Sequence, residues 1–251
     1  MELRNILLRV LVMVLFLTAL LFTIRFCTRS VTDLRRSLEG DGNLIRYEHV
    51  PEHPFSHLKV QGNTEVFIRQ SDMALITIEA DSNLIPHLQL GHDDETLVFG
   101  RPHRLKMARP VRLLVSVPDL DKITIEGAAN LDITDTFRTD GLWVEIHGAG
   151  MADLTLSVHH FKGSISGAGE IKLAGEALVA SNTINGAGKV AATNFITADQ
   201  EVEVNGAGSA HVSVTDRLKA TINGTGLIEY HGDPTVTPKI NGIGQIRPAR
   251  R

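Results

Sequence analysis

Asp132 and Asp153 each lie five residues after the first glycine of a Gly-Ala-x unit, so they share one phase of a recurring pattern. Two carboxylates about 5–10 Å apart can cleave a glycosidic bond, one as acid and the other as base or nucleophile. The same phase in later units carries Lys172, Ala191, His211, Glu229 and Arg247, a mixture that reads as a solvated outer face. His49, His53 and His57 recur every fourth residue, a spacing that a helix would turn into a metal site. Pro51 and Pro54 interrupt that stretch and argue against the helix. His159 and His160 fall between two units, and both histidine groups read as surface residues. Gly186-Ala187-Gly188-Lys189 ends like a phosphate-binding loop. However, Val190 replaces the Ser or Thr of that motif, and Thr183 stands where its first glycine belongs. The glycine pairs lack the third glycine of a dinucleotide fingerprint, and no calcium-binding nonapeptide follows them. No catalytic, cofactor-binding or metal-ligating residue is therefore assigned. No cofactor is expected, and the chain reads as a non-enzyme.

The elements that would position these residues are set by a repeat. Seven segments align: Ile125-Glu-Gly-Ala-Ala, Ile146-His-Gly-Ala-Gly, Ile165-Ser-Gly-Ala-Gly, Ile184-Asn-Gly-Ala-Gly, Val204-Asn-Gly-Ala-Gly, Ile222-Asn-Gly-Thr-Gly and Ile240-Asn-Gly-Ile-Gly. Their first glycines fall at 127, 148, 167, 186, 206, 224 and 242, a step of 18 to 21 residues. A branched apolar residue always stands two before the first glycine. Because strand side chains alternate, these seven predict one internal column, each member contributing roughly 1.5–3 kcal/mol of burial. A second column is predicted at Leu131, Ala152, Ile171, Val190, Ala210, Ile228 and Ile246. Asn185, Asn205, Asn223 and Asn241 then predict a ladder of amides bonded from coil to coil. Each unit reads as strand, glycine bend, strand, turn. A period near 19 is too short for a propeller blade and lacks the helix of other solenoid repeats, which leaves a parallel β-solenoid.

Alternating strand-like runs begin near Phe55 and continue to about Val117 with no convincing helical period. Between them lies a basic loop, 101–110, whose charges suit anionic lipid or polysaccharide, or simply a solvated connection. The irregular strands of 55–120 and a tail with Pro234, Pro238 and Pro248 are expected to close the two open ends of the stack. The chain has 251 residues, 22 of them glycine, only 5% aromatic, with formal net charge −4. That balance suits short strands with tight bends and gives no sign of a nucleic-acid binder. Cys27 stands alone, so no internal disulfide is expected.

The N-terminus differs from the rest. Val10 to Ile24 carries no charge and, extended by Ile6–Leu8 and Phe26, approaches the roughly 20 apolar residues of a membrane span. It exceeds the usual signal-peptide core and no small-residue cleavage site follows it. Residues 1–28 are therefore read as an uncleaved signal anchor or transmembrane helix, with a cleaved signal or a core helix as alternatives. Residues 29–54 read as a juxtamembrane linker, and 55–248 as the solenoid. Arg25, Arg29, Arg35 and Arg36 outnumber Arg4 and Arg9, which by charge alone would hold the body in the cytoplasm.

The I-N-G-A-G and I-N-G-x-G units follow two further blocks, Val60-Gln61-Gly62-Asn63-Thr64-Glu65-Val66-Phe67-Ile68 and Ser116-Val117-Pro118-Asp119-Leu120-Asp121-Lys122-Ile123. In this order they resemble the head GIN-domain family of putative autotransporter adhesins, over roughly residues 55–247. The resemblance implies a bacterial envelope or surface domain with a right-handed β-solenoid fold, and an exported body in the periplasm or envelope. It implies no catalytic residues. Ala129, in place of the second glycine of the first unit, is a departure from the pattern. The resulting expectation is an envelope-anchored structural, adhesion or interaction module. It would be held at the inner membrane by its N-terminal helix, with envelope polysaccharide or a protein as partner and room for a homo-oligomer. The rival is a carbohydrate-binding or carbohydrate-cleaving β-helix, and a third reading is a membrane-associated regulator.

Overall fold

The computed structural model describes residues 38–100, 105–106 and 109–249. The expected anchor, residues 1–28, and most of the basic loop lie outside the described residues. Among those described, no helix is long and apolar enough to cross a membrane. The chain forms two compact units. One, within residues 1–39 and 104–106, holds the short parallel pair β1 (Leu38–Glu39) and β8 (Leu105–Lys106).

The other unit is an all-β solenoid of about seven turns. Its repeating coils are built from β10 (Lys122–Gly127), β11 (Asn130–Gly148), β12 (Met151–Gly167), β13 (Glu170–Gly186), β14 (Lys189–Gly206), β15 (Ser209–Gly224), β16 (Leu227–His231), β17 (Thr235–Gly242) and β18 (Gln245–Pro248). Every pairing among them is parallel, and those that reach the bend set glycine on glycine, as in Gly148 against Gly167 and Gly167 against Gly186. The predicted turn between the two strands of a unit is not a break in the ladder. Each of β11 to β15 runs from one glycine bend to the next, with a register shift at some corners, as between Ile133 and Phe137, whereas in the last coil residues 232–234 separate β16 from β17. Within β11 to β15 the coil beneath supplies backbone partners, so the chain turns without leaving the sheet.

The apolar column forms as expected. Ile125, Ile146, Ile165, Ile184, Val204 and Ile222 are wholly buried, whereas Ile240 in the last coil is 45% exposed. The column also runs further than seven units. Val60 pairs with Ile125 and Phe99 with Val60, both fully buried. The second column is buried from Leu131 to Ile228, with Ile246 half-buried at its end.

The glycines answer to close approach between coils. Gly167 has φ +134°, and a Cβ there would press against the Gly148 carbonyl oxygen. That oxygen accepts the Ala168 N–H at 2.9 Å, so the bend stays hydrogen-bonded.

Before the repeats stand β2 (Leu44–His49), β3 (His57–Gly62), β4 (Thr64–Gln70), β5 (Leu75–Asp81), β6 (Gln89–Asp93), β7 (Thr96–Gly100) and β9 (Val111–Val117). They extend both faces of the solenoid. One face continues from β10 through β3 and β7 to β6. The other continues from β11 through β4, β9 and β5 to β2, with β5 antiparallel to both of its neighbours. β2 thus corrects the reading of residues 29–54 as linker throughout. Its charged, mixed pattern disguised it because an edge strand has little surface to bury.

Candidate functional site

The first face of the solenoid presents three outward columns, one residue from each per coil. The outermost runs Lys122, Trp143, Lys162, Ser181, Glu201, Lys219. The middle runs Thr124, Glu145, Ser164, Thr183, Glu203, Thr221, and the third Glu126, His147, Ser166, Asn185, Asn205, Asn223, Asn241. These residues alternate with the buried columns because a strand shows every second side chain to each side.

In the third column the predicted amide ladder is present. Asn205 Nδ2 donates to Asn185 Oδ1 at 2.9 Å, Asn223 to Asn205 at 2.7 Å, and Asn241 to Asn223 at 2.6 Å. An inner rung spends one N–H and one oxygen lone pair on its neighbours and keeps the others for an outside partner. Asn223 spends its second N–H on Glu203, at 3.3 Å. At the start of the face, Glu126 accepts from Lys59 Nζ and from Gln61 Nε2, both at 2.8 Å. The Lys59 contact, then Gln61, holds the Glu126 carboxyl below its ordinary range. Lys122 and Lys162 cover Trp143 from the neighbouring coils, with ammonium nitrogens 3.9 and 4.0 Å from the ring centroid. Lys122 also reaches Glu145 at 2.8 Å. Between these charged ends lies an uncharged patch of Ser164, Ser166, Ser181, Thr183 and Asn185. The face is repetitive, and at its outer margin Ser181, Glu201 and Lys219 border an open cleft shared with Asp199 and Arg217.

The sequence matches the family described as "putative auto-transporter adhesin, head GIN domain" over residues 54–234. The chain belongs to this family. Solved structures share the fold of this GIN domain. A putative adhesin from Bacteroides fragilis aligns at TM-score 0.80 and 23% identity, covering 84% of this chain and all of its own. A putative adhesin from Parabacteroides distasonis aligns at 0.71 and 22%, covering 84% of this chain and 99% of its own. A putative lipid binding protein from the same species aligns at 0.72 and 20%, covering 85% and 99%. No curated protein matches the sequence.

The GIN domain places Asp132 and Asp153 apart from this face, whereas His57 stands in register with Lys122 at its start. Asp132 and Asp153 are register neighbours on the second face, yet they line different clefts. Asp132 accepts the Thr134 hydroxyl and shares its cleft with Phe67, Arg69 and Arg112, whereas Asp153 lies beside Lys172 and Asn194. Each has a different neighbour on its other side, Phe67 for Asp132 and Lys172 for Asp153. His49, His53 and His57 lie on β2, the loop after it and β3, not on a helix. His53 packs edge-on against His92 at 6.1 Å between ring centroids. His159 pairs with Asp140 at 2.8 Å on the strand β12, not in a turn. Among the described residues no group of three or more His, Cys, Asp or Glu is placed to hold a metal. Gly186 to Lys189 is one glycine bend among equivalents, and Lys189 is paired with Glu170 at 3.1 Å. The Lys122–Trp143–Lys162 group escaped the sequence reading, although its steps of 21 and 19 residues match those of the first glycines.

Proposed function

We propose that this protein is a non-enzymatic adhesion or interaction module of the bacterial cell envelope, whose first solenoid face binds an extended hydroxyl-rich polymer, a polysaccharide. The observation that carries the reading is the amide ladder Asn185–Asn205–Asn223–Asn241 beside Ser164, Ser166 and Thr183. It offers donors and acceptors at a spacing of about 4.8 Å per coil. Solenoids suit polymers because their binding surface is itself repetitive. The membership of an adhesin family supports an envelope location. In this reading residues 10–24 anchor the chain in the inner membrane, and the solenoid is right-handed, as nearly all parallel crossovers are. An exported body would then override the charge count around residues 10–24.

The test is binding of purified envelope polysaccharides to the wild type and to the Ser164→Val, Thr183→Val double variant, which removes both hydroxyls without stacking charge between Glu145 and Glu203, with melting curves for both. The reading expects binding by the wild type and its loss in the variant at unchanged melting temperature. No binding to any polysaccharide, or equal binding by both proteins, overturns it.

A further inference from the structure

We propose that two copies of this chain join through β2, edge to edge and antiparallel, so that one sheet runs through both protomers. This goes beyond the polymer-binding reading and does not depend on it.

The two ends of the solenoid are finished differently. At the C-terminal end the last strands carry Pro238 and Pro248. Ile243, Gln245 and Ala249 donate their N–H groups back to the preceding coil. Backbone groups alternate along a strand, so the nitrogen of Pro248 faces the open side. Pro238 stacks through Ala220, Val202, Asn182 and Gly163 on the position of Val144. The neighbour Trp143 donates back to Asp121, which puts the position of Val144, and hence Pro238, on the open side as well. Both prolines therefore delete a donor where an incoming strand would need one.

β2 has no such protection. Its sequence, Leu-Ile-Arg-Tyr-Glu-His, holds no proline, glycine or lysine, and its six pairs with β5 run without a bulge. Among the described residues its other edge pairs with no strand. It is also apolar for an exposed edge: Leu44, Ile45, Tyr47 and the following Val50 are 48%, 39%, 46% and 68% exposed.

Of the self-pairing registers centred on Arg46, Tyr47 and Glu48, the sequence of β2 favours one. Asn43 and Ser82 are hydrogen-bonded partners across β2 and β5, so residues 45, 47 and 49 turn their backbone groups toward β5. Leu44, Arg46 and Glu48 turn theirs to the open edge. A two-fold antiparallel pair must match open residues with open residues. Centring it on Arg46 or on Glu48 sets like charges face to face, which is unfavourable. Centring it on Tyr47 sets Arg46 against the partner's Glu48 twice over. Continued by one residue, the same register covers Leu44 with the partner's Val50. On the opposite side of the sheet Tyr47 meets its own copy at the close, non-hydrogen-bonded spacing of about 4.5 Å between Cα atoms. Arg46 and Glu48 already pair within the chain at 3.2 Å, both more than half exposed, and that contact is free to exchange across the interface.

The experiment uses the full chain in detergent with Cys27→Ser and Tyr47→Cys. Mild oxidation should give a covalent dimer, whereas Thr225→Cys, exposed on a distant glycine bend, should not. In the Tyr47 background, light scattering should show a dimer. Arg46→Glu should weaken it by about tenfold or more by setting two like-charge pairs opposite each other, and adding Glu48→Arg should restore it. A monomer at all concentrations overturns the proposal. So does a dimer indifferent to Arg46→Glu, or one that the double swap fails to restore.

Discussion

The repeated coils and the strands that precede them bury their cores by different means. From β10 to β18 every pair is parallel, and one choice of residue is made again at the same phase of each coil. From β2 to β9 the sheets mix parallel and antiparallel pairs, and the buried Leu84 has no counterpart in the repeat. In the coils a side chain is buried by its equivalents above and below. In the preceding strands each contact is specified once. The value of a coil residue should thus depend on how many coils flank it, which is a property of position more than of residue type.

The sharpest break of this comparison is Gly167→Val. Positive φ and the Gly148 carbonyl leave no room for the side chain, and two coils on either side forbid relaxation. We expect loss of the β-sheet signal in circular dichroism, whereas Gly91→Ala, in open space on β6, should change the unfolding free energy by less than about 0.5 kcal/mol. Next in size, Ile165→Ala should cost about 2–5 kcal/mol by urea unfolding, and the same change at half-exposed Ile240 under about 1 kcal/mol. Equal costs would contradict the positional account.

A smaller effect has the opposite sign. Asn182 faces inward in register with Gly163 and Val202, is wholly buried, and neither atom of its carboxamide has a hydrogen-bond partner among the described residues. Asn182→Leu, similar in volume, should raise stability by about 1–2 kcal/mol in the same assay.

The smallest effect is electrostatic. Lys59 and Gln61 hold Glu126 below the ordinary carboxylate range, and Arg247 and Arg217 do the same for Glu229 and Asp199. A carboxylate with a lowered folded value stabilises the protein above its ordinary range, and that stability is lost as pH falls through the folded value. Lys59→Met should therefore cost under about 1 kcal/mol at neutral pH, the pair being partly exposed, and progressively less as the medium is acidified below about pH 4.

The repeat made the coils legible because a column needs the same residue at the same phase, and seven Ile or Val residues before seven glycines say so directly. The first turns were harder to read. Val60-Gln61-Gly62 is a further copy of the unit, but Thr64 fills the slot of the second glycine, as Ala129 does in the next. Phe99 continues the column with a residue of another shape. The corners read as turns in the sequence, yet from β11 to β15 the neighbouring coil keeps them in the sheet. β2 escaped notice because Arg46 and Glu48 interrupt the short apolar run of Leu44, Ile45 and Tyr47. The candidate face was half legible: Asn185 to Asn241 announced a ladder, while Trp143 carried no signal until its phase with Lys122 and Lys162 was recognised.

Burial, and with it local stability, is shared from coil to coil and fades toward the last one. Native-state amide exchange resolved by residue tests it directly. Exchange should be slowest in the strand amides flanking Ile146, Ile165 and Ile184, and steadily faster through Ile222 to Ile240. Exchange as slow around Ile240 as around Ile165, or fastest in the middle coils, would contradict it.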